Sequence, residues 1–208
     1  MDTGTAEDWA NLHRAGAKWQ LSLPDRIRTL LSKLAEQRDG MAIDQLQHSL
    51  QTATRALRAG ASDELVVASL CHDIGTSISY DNHAAVAAEI LQPYVSRNVY
   101  QIVRTHQEFQ RAHYHEQFGK NIEARLVYAK EPWFRDAERF SDEWDQTAFD
   151  PGYDSLSLEY FRPLLESVFR LPRNLSNDGQ SLRGWTELPG RWSWLKRVKR
   201  LVSRGRDA

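Results

Sequence analysis

Apolar positions recur at three- and four-residue spacing along most of the chain, while the period-two alternation of a half-buried strand hardly occurs. That pattern predicts an all-α fold. Ser22-Leu23-Pro24 supplies a helix start in which the fixed φ of proline suits the first turn. Ile27, Leu30, Leu31 and Leu34 follow on one stripe, and Asp39-Gly40 ends it. A second helix is expected from about Asp44 to Ala59, with Leu46, Leu50, Ala53 and Leu57 on one side and Gly60 as its stop. The third, SDELVVASLCHD from Ser62 to Asp73, places acids in its first turn, where the helix dipole favours them. It is then apolar on every side until its last two residues, which marks it as the central buried helix. Asn82 is the expected N-cap of HAAVAAEIL, ending at Pro93. From about Ser96 a further helix carries Val99, Ile102, Val103 and His106 on one face. Beyond a break at Gly119, Trp133, Ala137, Phe140 and Trp144 form another stripe. DPGY, Asp150 to Tyr153, is a turn, and Leu158, Phe161, Leu165, Val168 and Phe169 make a last core helix.

Composition narrows the function classes. The chain has 208 residues, 27 Lys+Arg against 28 Asp+Glu, and a formal charge of -1, which argues against a nucleic-acid-coating or membrane-coating role. Neither nucleic acid, nor stable membrane association, nor an obligate protein partner is expected; the expected partner is a small molecule. The start lacks a signal-peptide pattern and no run is long enough to span a bilayer, so a cytoplasmic protein is expected. The single cysteine, Cys71, permits neither an internal disulfide nor a thiolate cage, so a metal would be held by imidazole and carboxylate. Three regions are expected: N-terminal helices packing on the core over 1–40, a helical body over 41–172, and an extension over 173–208. The extension carries Trp185, Trp192, Trp194 and nine Lys+Arg against three Asp+Glu, so the neutral total conceals an acidic body and a basic tail.

The strongest chemical signal is His72-Asp73 at the end of an otherwise apolar helix, followed by Ile74-Gly75. A carboxylate in such a place calls for a cation, because burying it unpaired costs several kcal/mol. His48 lies on the preceding helix, opposite the leucine stripe. From Gln45 to Thr54 that helix has no charge, which suits a polar pocket better than a solvated face. His83 opens an apolar helix and His106 falls on the apolar stripe of its own, so core or cap roles compete with metal ligation for both. Asp145 is the last acidic candidate, at the edge of the core by its position one residue past Trp144, with Asp142 and Asp150 as competitors. His13, His113 and His115 show no pattern of this kind.

The order His48, His72-Asp73, Asp145 over about Asp44 to Phe169 resembles the HD-domain superfamily, whose metal ligands follow H, HD, D. The resemblance implies that the body is an HD domain. With His83 and His106 added, the set is similar to the mixed-valent diiron oxygenases of that superfamily, which include myo-inositol oxygenase and the 2-amino-1-hydroxyethylphosphonate dioxygenase group; a related activity acts on the trimethylammonium analogue. QLQHSLQTATRALRAGASDELVVASLCHDIG is particularly similar to the phosphonate-cleaving branch. The resemblance implies two iron ions, Fe(II)/Fe(III), with O2 as co-substrate: one held by His48, His72, Asp73 and Asp145, the other by Asp73, His83 and His106. It further implies cleavage of a C–P or C–C bond beside a hydroxyl-bearing carbon.

Three departures bear on substrate more than on iron. Arg38-Asp39-Gly40-Met41 stands where the phosphonate branch has a Tyr and a Glu, Gln110 where it has a phosphonate-contacting Lys, and TSISYDN is shorter than the corresponding loop. For an anionic substrate Arg125 is the first choice among Arg104, Arg111, Lys120, Arg125 and Arg139. Gln110, Gln51 and Tyr114 are the other candidate substrate contacts, and Tyr114, Trp133 and Trp144 offer aromatic faces to a quaternary ammonium group. Thr52 and Gln146, with Gln51 and Gln110, are the expected orienting partners of the imidazoles. The alternative within enzymes is an HD phosphohydrolase acting on a nucleotide or phosphate ester, which does not require His83 and His106. The alternative outside enzymes is a binding protein using the basic tail.

Overall fold

A computed structural model describes residues 2–38, 40–119, 121–170 and 172. The basic, tryptophan-bearing extension and Lys120 lie outside them. Among the described residues there are eight α-helices and no strand, as the sequence pattern predicts. No helix among these residues is long and apolar enough to cross a membrane.

The helices are α1 (Ala6–Leu21), α2 (Leu23–Lys33), α3 (Gln45–Arg58), α4 (Asp63–Cys71), α5 (His83–Leu91), α6 (Arg97–Gln110), α7 (Phe134–Arg139) and α8 (Leu158–Val168). Of the two N-terminal helices expected to pack on the core, α2 buries Pro24, Ile27 and Leu31. By contrast α1 buries no residue, though its start is fixed by a Thr5–Asp8 capping box. Its link to the body includes Gln20, which donates to the Phe169 carbonyl (3.0 Å).

The centre is built from two helical pairs. In α3 and α4, the side chains of Asp44 and Ser62 cap their respective N-termini. Gly60 turns the chain between them at φ 77°, a conformation glycine adopts without the Cβ clash other residues meet. Because α4 is apolar on all sides, its run Val66 to Cys71 is fully buried, and α3, α6 and α8 pack around it. In the second pair, α5 and α6, Ser96 caps α6 through the Val99 amide, and Val99, Ile102, Val103, His106 and Phe109 face inward. Asn82 stands before α5 as expected, but its side chain makes no cap hydrogen bond.

The Trp133/Ala137/Phe140/Trp144 stripe is buried throughout, but it does not run as one α-helix. After α7 the chain widens into a π-helical turn, Phe140–Asp145, marked by the Gln146 amide donating to the Ser141 carbonyl (2.9 Å). A wider turn returns to its starting direction one residue later, so Asp145 swings towards the side of Phe140. Asp145 is therefore at 0% exposure, not at the edge of the core as its position in the sequence implied.

Candidate metal centre

Six side chains from five places in the fold meet at one point. His48 comes from the first turn of α3. His72 and Asp73 come from the end of α4, His83 from the first residue of α5, His106 from the last turn and a half of α6, and Asp145 from the π turn. All are buried: His72 and Asp145 at 0%, His48 and His106 at 1%, Asp73 and His83 at 8% exposure.

Backbone carbonyls fix the imidazoles. The Nδ1 atoms of His72, His83 and His106 lie 2.8, 2.7 and 2.7 Å from the carbonyls of Ser69, Tyr80 and Val103, each three residues earlier. His48 Nδ1 lies 3.0 Å from the carbonyl of Ala148, a hundred residues away. A carbonyl only accepts, so each Nδ1 carries the proton. In the neutral rings every Nε2 is then a lone pair. Those four lone pairs point at one another and at two carboxylates. His48 and His72 Nε2 are 3.1 Å apart, and those of His83 and His106 are 3.3 Å apart.

The carboxylates divide the cluster into two groups. Asp73 Oδ2 is 3.5 Å from His48 Nε2 and 3.2 Å from His72 Nε2, whereas its Oδ1 is 3.1 Å from His83 Nε2 and 3.3 Å from His106 Nε2. Asp145 Oδ1 faces the first group, 3.0 Å from His48 and 3.4 Å from His72. Although buried and near these nitrogens, Asp73 Oδ1 has no hydrogen bond, and neither does Asp145 Oδ2. Donors held ~2.0–2.2 Å from a common ion are separated by roughly 3.0–3.5 Å from one another in tetrahedral or octahedral arrangements. The spacings fit two ions sharing Asp73. His48, His72 and Asp73 could hold one ion, with Asp145 beside them, and Asp73, His83 and His106 could hold another.

The electrostatics ask for the same thing. Burial disfavours the charged form of His72, yet the charges of Asp73 and Asp145 outweigh it and hold its pKa well above the ordinary imidazole range. Burial likewise acts to raise Asp73 and Asp145, but His72 and the neighbouring imidazoles carry both well below the usual carboxylate range. For His83, burial is outweighed by Asp73 and the pKa rises. The middle of the cluster thus favours positive charge, which bound cations would supply. Nitrogen and oxygen donors without thiolate suit iron, manganese or zinc; the one cysteine, Cys71, is buried and its thiol is pushed up by burial.

Other sequence expectations fall elsewhere. Gln51 and Thr52 are buried on the face of α3 that was expected to be a polar pocket, but the chain's own segment 147–156 sits against that face. Gln51 bonds to the main chain of Asp150, and the Thr52 hydroxyl donates to the His48 carbonyl (2.9 Å), so neither side chain bonds directly to an imidazole. Gln146 contributes its amide to the π turn. Gln110 Nε2 donates to Asp145 Oδ1 at 3.5 Å and so touches a member of the cluster. Arg125 is paired with Asp142, whose Oδ1 it shares with His113, both at 2.8 Å. Tyr114 packs its ring on His115 and Phe118. Trp133 and Trp144 are core residues.

The sequence reading missed the four orienting carbonyls and two side groups. Phe149 stacks on the His48 ring, with centroids 4.3 Å apart. Gly75 lies so close to the start of α5 that a Cβ would stand 2.3 Å from the His83 carbonyl oxygen and 2.8 Å from its Cα. Both are main-chain atoms, so α5 would have to move. Gly75→Ala should therefore lower stability by about 1–3 kcal/mol and weaken metal retention through His83; melting temperature and metal content check this, and two unchanged values would show that the contact is relieved elsewhere.

Residues 46–140 match a family model described as HD domain. The match takes in His48, His72, Asp73, His83 and His106 and stops before Asp145. No curated protein matches the chain.

Proposed function

We propose, from the match of residues 46–140 to the HD-domain model, that this chain is a metal-dependent enzyme of the diiron oxygenase type, using O2 to cleave a C–P or C–C bond beside a hydroxyl-bearing carbon. A small hydroxyphosphonate is the substrate class that the sequence resemblance favours. The observation that carries this reading is the second group, Asp73, His83 and His106, set against the first through the two oxygens of one carboxylate. A one-metal phosphohydrolase has no use for it.

When bound, a pair of irons supplies Lewis acidity and the electrons for work on dioxygen. The chain's own part is placement. Carbonyls lock each imidazole so that Nε2 faces the centre, and Asp73 holds the two groups in register. Phe140 and Phe149 pack on the rings of His72 and His48 and keep water from that side. Exposure is confined to Asp73 and His83, so substrate approaches on the side of the three-residue group, which has fewer protein donors. Arg125 would serve an anionic group by giving up Asp142.

The test is direct. Protein loaded anaerobically with iron should consume O2 in the presence of a hydroxyphosphonate and release phosphate only when O2 is supplied. Hydrolysis of phosphate esters without O2 uptake would replace this reading with the phosphohydrolase one.

A further inference from the structure

Three of the four imidazoles are oriented locally, by carbonyls three residues away, but His48 depends on Ala148 from the segment between the π turn and α8. That segment, 147–156, is laced to one face of α3. Arg55 Nη2 donates to the Thr147 carbonyl (2.9 Å), the Leu156 amide donates to Thr54 Oγ1 (3.0 Å), and the Arg55 guanidinium covers the Tyr153 ring at 4.1 Å. Between them lies a two-point contact of another kind. The Gln51 side-chain amide donates to the Asp150 carbonyl (2.7 Å), and its oxygen accepts from the Asp150 amide (3.3 Å).

Gln51 thus pairs with a backbone unit as a neighbouring strand would, and among side chains only a carboxamide offers donor and acceptor together in this way. It is 2% exposed and lies one turn along α3 from His48. Asp150 is two residues from Ala148, which orients His48, and adjacent to Phe149, which stacks on it. We infer that Gln51 is a positioning residue: it clamps the 148–150 segment so that the Ala148 carbonyl and the Phe149 ring hold His48 in its metal-binding orientation. This role replaces the substrate contact expected for Gln51 from the sequence, and it rests on the reading of the cluster as a metal centre.

Two measurements on the full chain test the clamp. In metal-free protein, hydrogen exchange of the Asp150 amide reports the clamp itself. In protein loaded with cobalt(II), the rates at which metal is lost to a chelator report its consequence. Gln51→Met removes both hydrogen bonds at similar volume; the Asp150 amide should then exchange at least about tenfold faster. One of the two metals should dissociate about tenfold faster, the low end of what loss of an orienting partner causes, while the other leaves at the wild-type rate. Gln51→Glu keeps the acceptor but sets a carboxylate against the Asp150 carbonyl, and should fall between wild type and Gln51→Met. Unchanged exchange in Gln51→Met would overturn the clamp, and faster exchange with both metals lost at wild-type rates would overturn its role in the centre. Wild-type protein that takes up no cobalt would overturn the metal reading and with it the clamp's purpose, a failure that the exchange data tell apart from loss of the clamp.

Discussion

Asp73→Ala should strip the centre of both metals and lower turnover by at least about 10³-fold, which corresponds to ~4 kcal/mol of barrier. The Asp73 carboxylate reaches both groups: Oδ2 faces His48 and His72, while Oδ1 faces His83 and His106. Its removal takes one donor from each ion and half of the negative charge that offsets them. The four imidazoles remain fixed by their carbonyls, so the helices should stay folded. Circular dichroism should be unchanged while metal analysis finds neither ion. Retention of one ion at wild-type affinity would show that Asp73 does not bridge.

His83→Ala has the second largest effect and a different signature. His83 belongs to the second group alone, and its side chain stands at the outward edge of the cluster. As the first residue of α5 it lies outside the apolar core cluster, so alanine there should leave the fold intact. The variant should keep one metal per chain, lose the other, and lose O2-dependent cleavage. A variant that still holds two metals would refute the division of ligands. One that loses a metal yet keeps O2-dependent cleavage would place the chemistry on the first ion alone and refute the two-iron reading.

Much of this was legible in the chain, and what was not has physical causes. Caps and stops such as Asp44, Ser62, Ser96 and Gly60 act on their own helix, so their local patterns suffice to place the ends of α3, α4 and α6. The His72-Asp73, His83 and His106 positions could be read because apolar surroundings make a polar residue conspicuous, and His48 because its polar face carries no charge. Asp145 was harder, since the π turn that brings it fully inside breaks the 3.6-residue period on which the reading relied. The orienting groups were out of reach for another reason: they are main-chain carbonyls, and every residue has one. The engagement of Gln51 by Asp150 could not be foreseen, because the pocket it lines is filled by residues a hundred positions later in the chain. Gly75 owes its role to the approach of the His83 backbone, which no residue pattern encodes.

The metal content of the protein itself is the most direct test of the two-iron reading. Purified without oxygen and supplied with iron, the wild-type chain should bind two irons and, after partial oxidation, give the electron paramagnetic resonance signal of a coupled Fe(II)/Fe(III) pair. One metal per chain with no coupled signal would contradict it.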